Sequence, residues 1–288
     1  MLPRWLLSSW SVIEVKNLKF SYKEDGPLAL KGVDFFMNQG ELVALLGGNG
    51  SGKSTFVKVL NGLAAPFCGE VKVFGISPSD QSRLIEIRRR LGMVFQNPEN
   101  QIVGAIVEDD VAFSLENIGL GREEIRSRVD QALALTGLEG KRKARTSELS
   151  GGQQQRLAIC SILALRPEAI IFDEATSMLD PESREEIFQL ILRLNREEKM
   201  GVLFITHFME EAVHADRAVL MRSGTIAADG KPGDVFNRED LLRKCELELP
   251  EAKSVAHELQ IRGVDIEWRM VLKEEDLLTE VKKRVSFV

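Results

Sequence analysis

Eight consecutive residues constrain this chain more than any others: Gly47-Gly48-Asn49-Gly50-Ser51-Gly52-Lys53-Ser54, an instance of G-x-x-x-x-G-K-[ST]. The stretch from Glu41 to Leu46 before it is a short, mostly apolar run that predicts a buried strand, and Lys53 to Leu60 after it predicts a helix. Glycines in that setting let consecutive backbone N–H groups turn into one concavity, and the helix N-terminus adds its positive dipole end. Such a cradle suits a nucleoside triphosphate. Lys53 is expected to reach the β- and γ-phosphates and the Ser54 hydroxyl to ligate Mg²⁺, with the remaining loop residues and Thr55 lying along the nucleotide. A plain glycine-rich turn does not account for a strand before the loop and a helix after it.

The pattern of strand and helix continues down the chain. Leu91 to Phe95, Ala169 to Phe172, Val202 to Ile205 and Ala218 to Met221 are short apolar runs of the kind buried in parallel sheets. Helical stretches lie between them, among them Arg83 to Arg90, Pro181 to Arg196 and Phe208 to His214. Val12 to Phe20 and Gly32 to Met37 alternate instead, with turns at Glu24-Asp25-Gly26 and Asn38-Gln39-Gly40, and predict antiparallel strands. Glu108 to Leu149 has no strand signal and carries the helical run Arg122 to Leu135 closed by Gly137, which predicts a helical insertion. Past about Phe236 the chain turns helical again. There Leu277, Val281 and Val285 form a stripe at four-residue spacing, too short for a core of its own and expected to pack on the main domain or on a second subunit. The expected class is α/β: a P-loop nucleoside-triphosphatase core at 12–235 with an antiparallel β subdomain and a helical subdomain at about 97–150. An N-terminal extension at 1–11 precedes it and a small appended C-terminal domain at 236–288 follows.

Two further segments carry chemistry. Ala169-Ile170-Ile171-Phe172-Asp173-Glu174 is an apolar strand ending in two acids, at the carboxyl end where open α/β sheets bind ligands. Asp173 is expected to hold Mg²⁺ and Glu174 to orient and polarise an attacking water. Taken alone, Glu174 reads almost as well as a cap on the strand's exit; the phosphate loop upstream favours catalysis. Leu149-Ser150-Gly151-Gly152-Gln153 opens a helix, with Ser150 as a good cap and Gly151 and Gly152 leaving bare N–H groups for an anion. Nothing nearby in sequence needs a second anion cradle, so its phosphate is expected to belong to another subunit's nucleotide.

With these segments in this order, the chain resembles the nucleotide-binding subunit of ATP-binding-cassette (ABC) transporters over about residues 12–235. The resemblance implies that the nucleotide is ATP, and it implies further roles. Tyr22, the only tyrosine, matches the aromatic that stacks on adenine. Gln96 matches the Q-loop glutamine that contacts Mg²⁺ and water and senses the membrane partner. Ser177-Met178-Leu179-Asp180 matches the D-loop that crosses the dimer interface, with Asp180 counted among the nucleotide-binding residues. His207 matches the switch histidine on the γ-phosphate. Singly, these residues read as a half-buried aromatic, a turn residue and a satisfied core histidine; only their order gives them roles. The resemblance further implies two subunits packed head to tail, each ATP lying between one phosphate loop and the partner's copy of Ser150-Gly151-Gly152-Gln153.

A finer resemblance lies in Gln96 to Gln101 with Val107 to Phe113, in Asp173 to Pro181, and in the C-terminal appendage. These look like energy-coupling factor (ECF) transporter ATPases, which import vitamins or, in one branch, cobalt and nickel ions. In that family a pair of ATPases, alike or different, binds a membrane coupling protein, and a separate membrane subunit captures the substrate. The implied place is peripheral, on the cytoplasmic face of the cell membrane. The alternatives are the ATPase of a conventional ABC transporter or, with less support, a soluble ABC ATPase acting on nucleic acid. The second would bring a long coiled coil, a zinc hook or tandem cassettes, and this chain has one phosphate loop and no heptads.

Composition agrees. A net charge of −6 over 288 residues argues against a protein that grips nucleic-acid phosphates. Cys68, Cys160 and Cys245 are odd in number and scattered, so they define no disulfide framework, and Cys68 and Cys160 are expected in or near the core. His214 and His257 have no companions at metal-ligand spacing. There is no apolar run of about 18 residues to span a membrane. The opening MLPRWLLSSWS is interrupted by Ser8 and Ser9 and reads as a short extension rather than a secretory signal. The basic runs Arg88-Arg89-Arg90, Lys141-Arg142-Lys143 and Lys282-Lys283-Arg284 read as solvated helix faces.

Overall fold

The structure, a computed structural model, describes residues 11–65 and 67–285, with the side chains of 284 and 285 left aside. The expected extension therefore lies outside the described residues apart from Ser11, and of the C-terminal stripe the Val285 side chain is not described. In chain order the first part comprises β1 (Ser11–Phe20), β2 (Leu30–Asn38), β3 (Leu42–Leu46), α1 (Lys53–Leu60), β4 (Cys68–Val73), α2 (Leu84–Arg90) and β5 (Leu91–Val94). A helical segment follows with α3 (Val107–Asn117), α4 (Arg122–Thr136) and α5 (Gly151–Ala164). The α/β alternation resumes with β6 (Ala169–Asp173), α6 (Pro181–Arg196), β7 (Gly201–Ile205), α7 (Met209–Ala212), β8 (Arg217–Arg222) and β9 (Thr225–Gly230). The chain ends in α8 (Pro232–Phe236), α9 (Glu239–Lys244), α10 (Glu251–Ile261) and α11 (Glu274–Val285).

Two sheets result. β2-β1-β4 is antiparallel throughout, and the larger sheet runs β5-β6-β7-β3-β8-β9, parallel except for the β8–β9 hairpin. The central strands are buried on both faces, and their period-two geometry divides them between two cores. Leu42, Ala44 and Leu46 of β3, with Ile170, Phe172, Val202 and Phe204, point to the side that holds the helical segment and α6. Val43, Leu45, Ile171, Leu203 and Ile205 point the other way, into a core shared with α1 and the antiparallel sheet. The phosphate loop leaves β3 between these two cores, braced from both sides. Arg217, 9% exposed, ties the layers together: it reaches Glu41 at 2.9 Å, Asp229 at 2.6 Å and the Phe36 carbonyl at 2.9 Å.

Most expected elements stand within a residue or two of their expected limits, and the α/β class holds. The differences have local causes. β4 and β9 were not foreseen; both lie at sheet edges with mostly exposed or half-exposed residues, so neither shows a buried-strand pattern. Regular helix after His207 is confined to Met209–Ala212. Cys68, expected in or near the core, is exposed at the open start of β4, whereas Cys160 and Cys245 are buried, and burial pushes the Cys160 thiol up to about 12. The basic runs are less idle than expected: Arg90 pairs with Glu168, Arg142 with Glu108 and Asp130, and Lys143 with Glu108.

The C-terminal region divides differently in packing than at residue 236. Phe236, Leu242, Cys245 and Leu247 are buried in the same core as the helical segment. A separate small cluster of Ala252, Ala256, Ile266, Trp268 and Val271 begins only after Pro250, and Leu277 and Val281 of the stripe pack on it. Leu277 and Val281 are thus partly covered from within the appendage. Leu249 touches both cores, and Leu272 reaches the main one.

Candidate functional site

The phosphate loop runs from the end of β3 into α1. Its glycines are demanded by space and backbone conformation: Gly47 has φ +145, and a Cβ there would fall 2.2 Å from the Met221 carbonyl oxygen. Gly52, with φ +110, caps α1 in the left-handed region. Lys53 is 6% exposed, and its ammonium donates to the carbonyls of Gly47 (2.7 Å) and Gly48 (3.1 Å), so it lies back along the loop. Burial pushes its pKa down, opposed chiefly by the Glu174 and Asp173 carboxylates. Glu174 Oε1 stands 4.0 Å from the Lys53 ammonium.

The strand end of β6 brings the two acids beside the loop. Ser54 donates its hydroxyl to Asp173 Oδ1 at 3.0 Å. Asp173 is 7% exposed, and burial raises its pKa while the Ser54 hydrogen bond opposes the rise. A hydroxyl and a buried carboxylate side by side are hard oxygen donors, and a buried carboxylate lacking full solvation favours a cation. That donor set fits Mg²⁺, which takes few protein ligands and completes its shell with phosphate oxygens and water. Among the described residues no cluster of three or more His, Cys, Asp and Glu could hold a metal. Glu174 itself has φ +53, an uncommon conformation outside glycine, with its N–H donating to the Ile205 carbonyl at 3.2 Å.

Gln96 closes the far side. Its Nε2 donates to Glu174 Oε2 (3.3 Å) and Ser177 Oγ (3.1 Å), linking the segment after β5 to the catalytic-acid candidate and to the Ser177–Asp180 segment. The segment is held by its own side chains. Gln101 accepts from the Phe95 N–H at 2.8 Å and donates to the Met93 carbonyl at 3.0 Å, pinning the loop to β5. Buried Asp110 accepts from the N–H groups of Val103 and Gly104 and from Ser161 of α5. Tyr22 is 64% exposed, and its hydroxyl lies 2.9 Å from Thr55 Oγ1, so an open ring stands at the edge of α1. His207 follows β7 with an exposed ring 4.3 Å from that of Phe208.

Other residues named from sequence stand apart. Ser150 and Gln153 form a reciprocal capping box at the start of α5, and Gly152 abuts Ser183 of α6. Ser150, Gly152 and Gln153 line an open pocket together with Gly137, Leu138, Gly140, Lys141, Arg156, Ser183 and Glu186, none of them in the phosphate loop. Gly151 faces open space. Asp180 caps α6, accepting from the Ser183 N–H at 3.0 Å, and that bond is the main cause of its lowered pKa. So one chain gathers Tyr22, Gly47 to Thr55, Gln96, Asp173 and Glu174, and leaves the Ser150 segment pointing elsewhere. Glu246, which sequence reading did not single out, lies against Gly48. It is about 200 residues away in sequence, and no motif marks it.

A family model described as ABC transporter matches residues 30–177. Energy-coupling factor transporter ATP-binding protein EcfA1 of Clostridium novyi is 46% identical over 259 residues, covering 89% of this chain and 92% of its own length. The protein of the same name from Symbiobacterium thermophilum is 48% identical over 251 residues, 87% of each. Among solved structures, cbiO1 from Clostridium perfringens, part of the ABC transporter complex cbiONQ, matches with a TM-score of 0.75 and 35% identity over 87% of this chain and 99% of that one. The dimeric ATP-binding cassette MJ0796 bound to ADP and Pi matches with a TM-score of 0.68 and 33% identity, covering 76% of this chain and 98% of that one.

Proposed function

The chain belongs to the ABC transporter ATP-binding family, in its energy-coupling factor branch, and we propose on that premise that it is the ATP-hydrolysing motor of a membrane importer for a vitamin or a transition-metal ion. The observation that carries the reading is the convergence of Lys53, Ser54, Asp173, Glu174 and Gln96 at the carboxyl ends of β3, β5 and β6. With ATP bound, the Lys53 ammonium exchanges its loop carbonyls for phosphate oxygens. Ser54 and Asp173 would hold Mg²⁺, which would supply neutralisation of phosphate charge. Glu174 orients the attacking water and accepts its proton, while Gln96 fixes the Glu174 carboxylate and relays its state to the D-loop through Ser177. His207 turns its exposed ring to the γ-phosphate. Tyr22 offers its open face to the adenine, and Thr55 secures the tyrosine hydroxyl.

Ser150 to Gln153 face away from this chain's own loop, which supports completion of each site by a second ATPase, head to tail, like the dimeric cassette it resembles. Asp180, engaged as a helix cap, acts through the shape of the D-loop at that interface. The Gln96 to Asn117 surface, held by Gln101 and Asp110, is the proposed seat of the membrane coupling protein, with a separate membrane subunit capturing the substrate. Among the described residues no helix is long and apolar enough to cross a membrane, and attachment through that surface makes the chain peripheral, on the cytoplasmic face. The test is affinity purification of the tagged chain from detergent-solubilised membranes, followed by ATPase assay of the complex. Co-elution of integral membrane subunits with ATP-dependent uptake supports the reading. Elution with soluble partners alone overturns it.

A further inference from the structure

Helix α9 ends in a way that puts a carboxylate where phosphate chemistry is expected. The N–H of Glu246 donates to the Arg243 carbonyl at 3.1 Å and that of Leu247 to the Leu242 carbonyl at 3.0 Å. These are the two bonds of a Schellman closure, and its pivot residue adopts the left-handed conformation that glycine usually supplies. Here the pivot is Glu246, with φ +60. Its neighbours Cys245 and Leu247 are buried at 2% and 7% exposure, and Leu242 and Leu247 share the main core, so packing holds the backbone of the turn, while Glu246 itself is exposed. Its side chain lies against the phosphate loop. A Cβ built on Gly48 would come within 2.4 Å of Glu246 Oε2, 2.9 Å of its Cδ and 3.0 Å of its Cβ. The carboxylate is also among the charges felt by the Lys53 ammonium.

An anion-binding loop is a poor place to station an anion. A non-glycine residue held in left-handed conformation at such a spot is the kind of strain that points to function. We propose that Glu246 is an electrostatic brake on nucleotide retention: its carboxylate, standing beside Gly48 on a turn whose backbone is held by the core, repels the phosphates held by the loop and weakens the affinity of this site for ADP and ATP. The inference rests on the phosphate-loop reading of Gly47 to Ser54. It also ties the site to the C-terminal region, because α9 and the turn after it lead directly into the appendage at Pro250.

The test is titration of the whole chain with a fluorescent ADP analogue and with Mg-ADP, at low and at near-physiological salt, using the parent, Glu246→Gln and Glu246→Gly. Glu248→Gln serves as the control for net charge, since Glu248 is exposed two residues away. Removing the brake should tighten ADP binding by about three- to tenfold at low salt in both Glu246 variants, with a smaller gain at higher salt, as expected for a screened repulsion. Glu248→Gln should bind as the parent does. Glu246→Gly should in addition melt at a higher temperature, because it restores the residue the closure favours. Equal affinity in parent and Glu246→Gln overturns the brake, and so does an equal gain in Glu248→Gln. If the parent fails to bind nucleotide at all, the phosphate-loop reading itself is wrong, and that result is distinct from either.

Discussion

Lys53 and Lys253 meet the same problem, a buried ammonium, and both meet it with backbone carbonyls. Lys53 at 6% exposure donates to two carbonyls of its own loop and has Glu174 Oε1 at 4.0 Å. Lys253 at 0% exposure donates to the carbonyls of Trp268 (3.2 Å), Arg269 (3.0 Å) and Val271 (3.1 Å), with the Trp268 ring 4.9 Å away. His257 stacks on the other part of this small assembly, 4.3 Å from Trp268, and pairs with Glu239 of α9. Three carbonyls from one turn use all the donors an ammonium has. Two carbonyls leave a donor over, beside carboxylates. The first arrangement closes a fold, and the second is suited to exchanging partners. A buried lysine is therefore not by itself a functional signal; its unused donor and its neighbouring acids are.

The comparison can be broken at several points. The largest effect belongs to the acid beside Lys53. Glu174→Gln keeps size and hydrogen bonding but removes the proton acceptor, so phosphate release should fall by about 10²–10⁴-fold while ATP still binds. Gel filtration with Mg-ATP should then reveal a persistent dimer; hydrolysis near the parental rate would remove Glu174 from the mechanism. Next comes the pair of lysines. Lys53→Met should weaken Mg-ATP binding by about 1.5–3 kcal/mol, the scale of a hydrogen bond to a charged group, with the smaller effect on folding. Lys253→Met should do the reverse, leaving affinity alone. It should cost the appendage about 2–4 kcal/mol by stranding buried carbonyls, read as faster hydrogen exchange over 251–281. Equal loss of nucleotide affinity in both variants would erase the distinction.

Tyr22→Ala should weaken ATP binding by about 1–3 kcal/mol if the ring stacks on the base, and Tyr22→Phe should be nearly silent because the bond to Thr55 is exposed. Equal losses would assign the effect to the hydroxyl. The smallest effect is one of pH. Burial, aided by the Arg269 charge, pushes Lys253 down to about 8, while the unfolded chain keeps the ordinary value of 10.5. Between those values the unfolded state binds more protons, so appendage stability should rise as pH climbs from about 8 to about 10.5. Lys253→Met should lack that part of the rise. A parental curve no steeper than the mutant's would mean the ammonium is not desolvated on folding.

How much of this was legible in advance depended on whether the signal was local. The helices at Lys53 and Pro181 begin at their expected residues because Gly52 and Asp180 set their starts from within a few residues. The strands of the parallel sheet were plain because burial on both faces makes each a continuous apolar run. β4 and β9, half-exposed at edges, carried no such run. Cys68 was misjudged for the same reason: apolar character does not say which end of an edge strand is covered.

The sequence by itself determined the phosphate loop, the acids at the end of β6, the helix cap at Ser150 and the α/β alternation. Each of these is written in spacings of a few residues, where backbone geometry alone fixes which groups face together. Tertiary structure decided that Ser54 meets Asp173, that Gln96 holds Glu174, that Lys253 closes the appendage and that Glu246 stands against Gly48. Those partners lie tens to hundreds of residues apart, from 15–18 for Lys253 to 198 for Glu246 and Gly48. They are brought together by the burial of β3, β6 and the α9 turn in shared cores. Hydrophobic burial is non-directional, so it leaves no residue pattern naming the polar pairs it brings into contact.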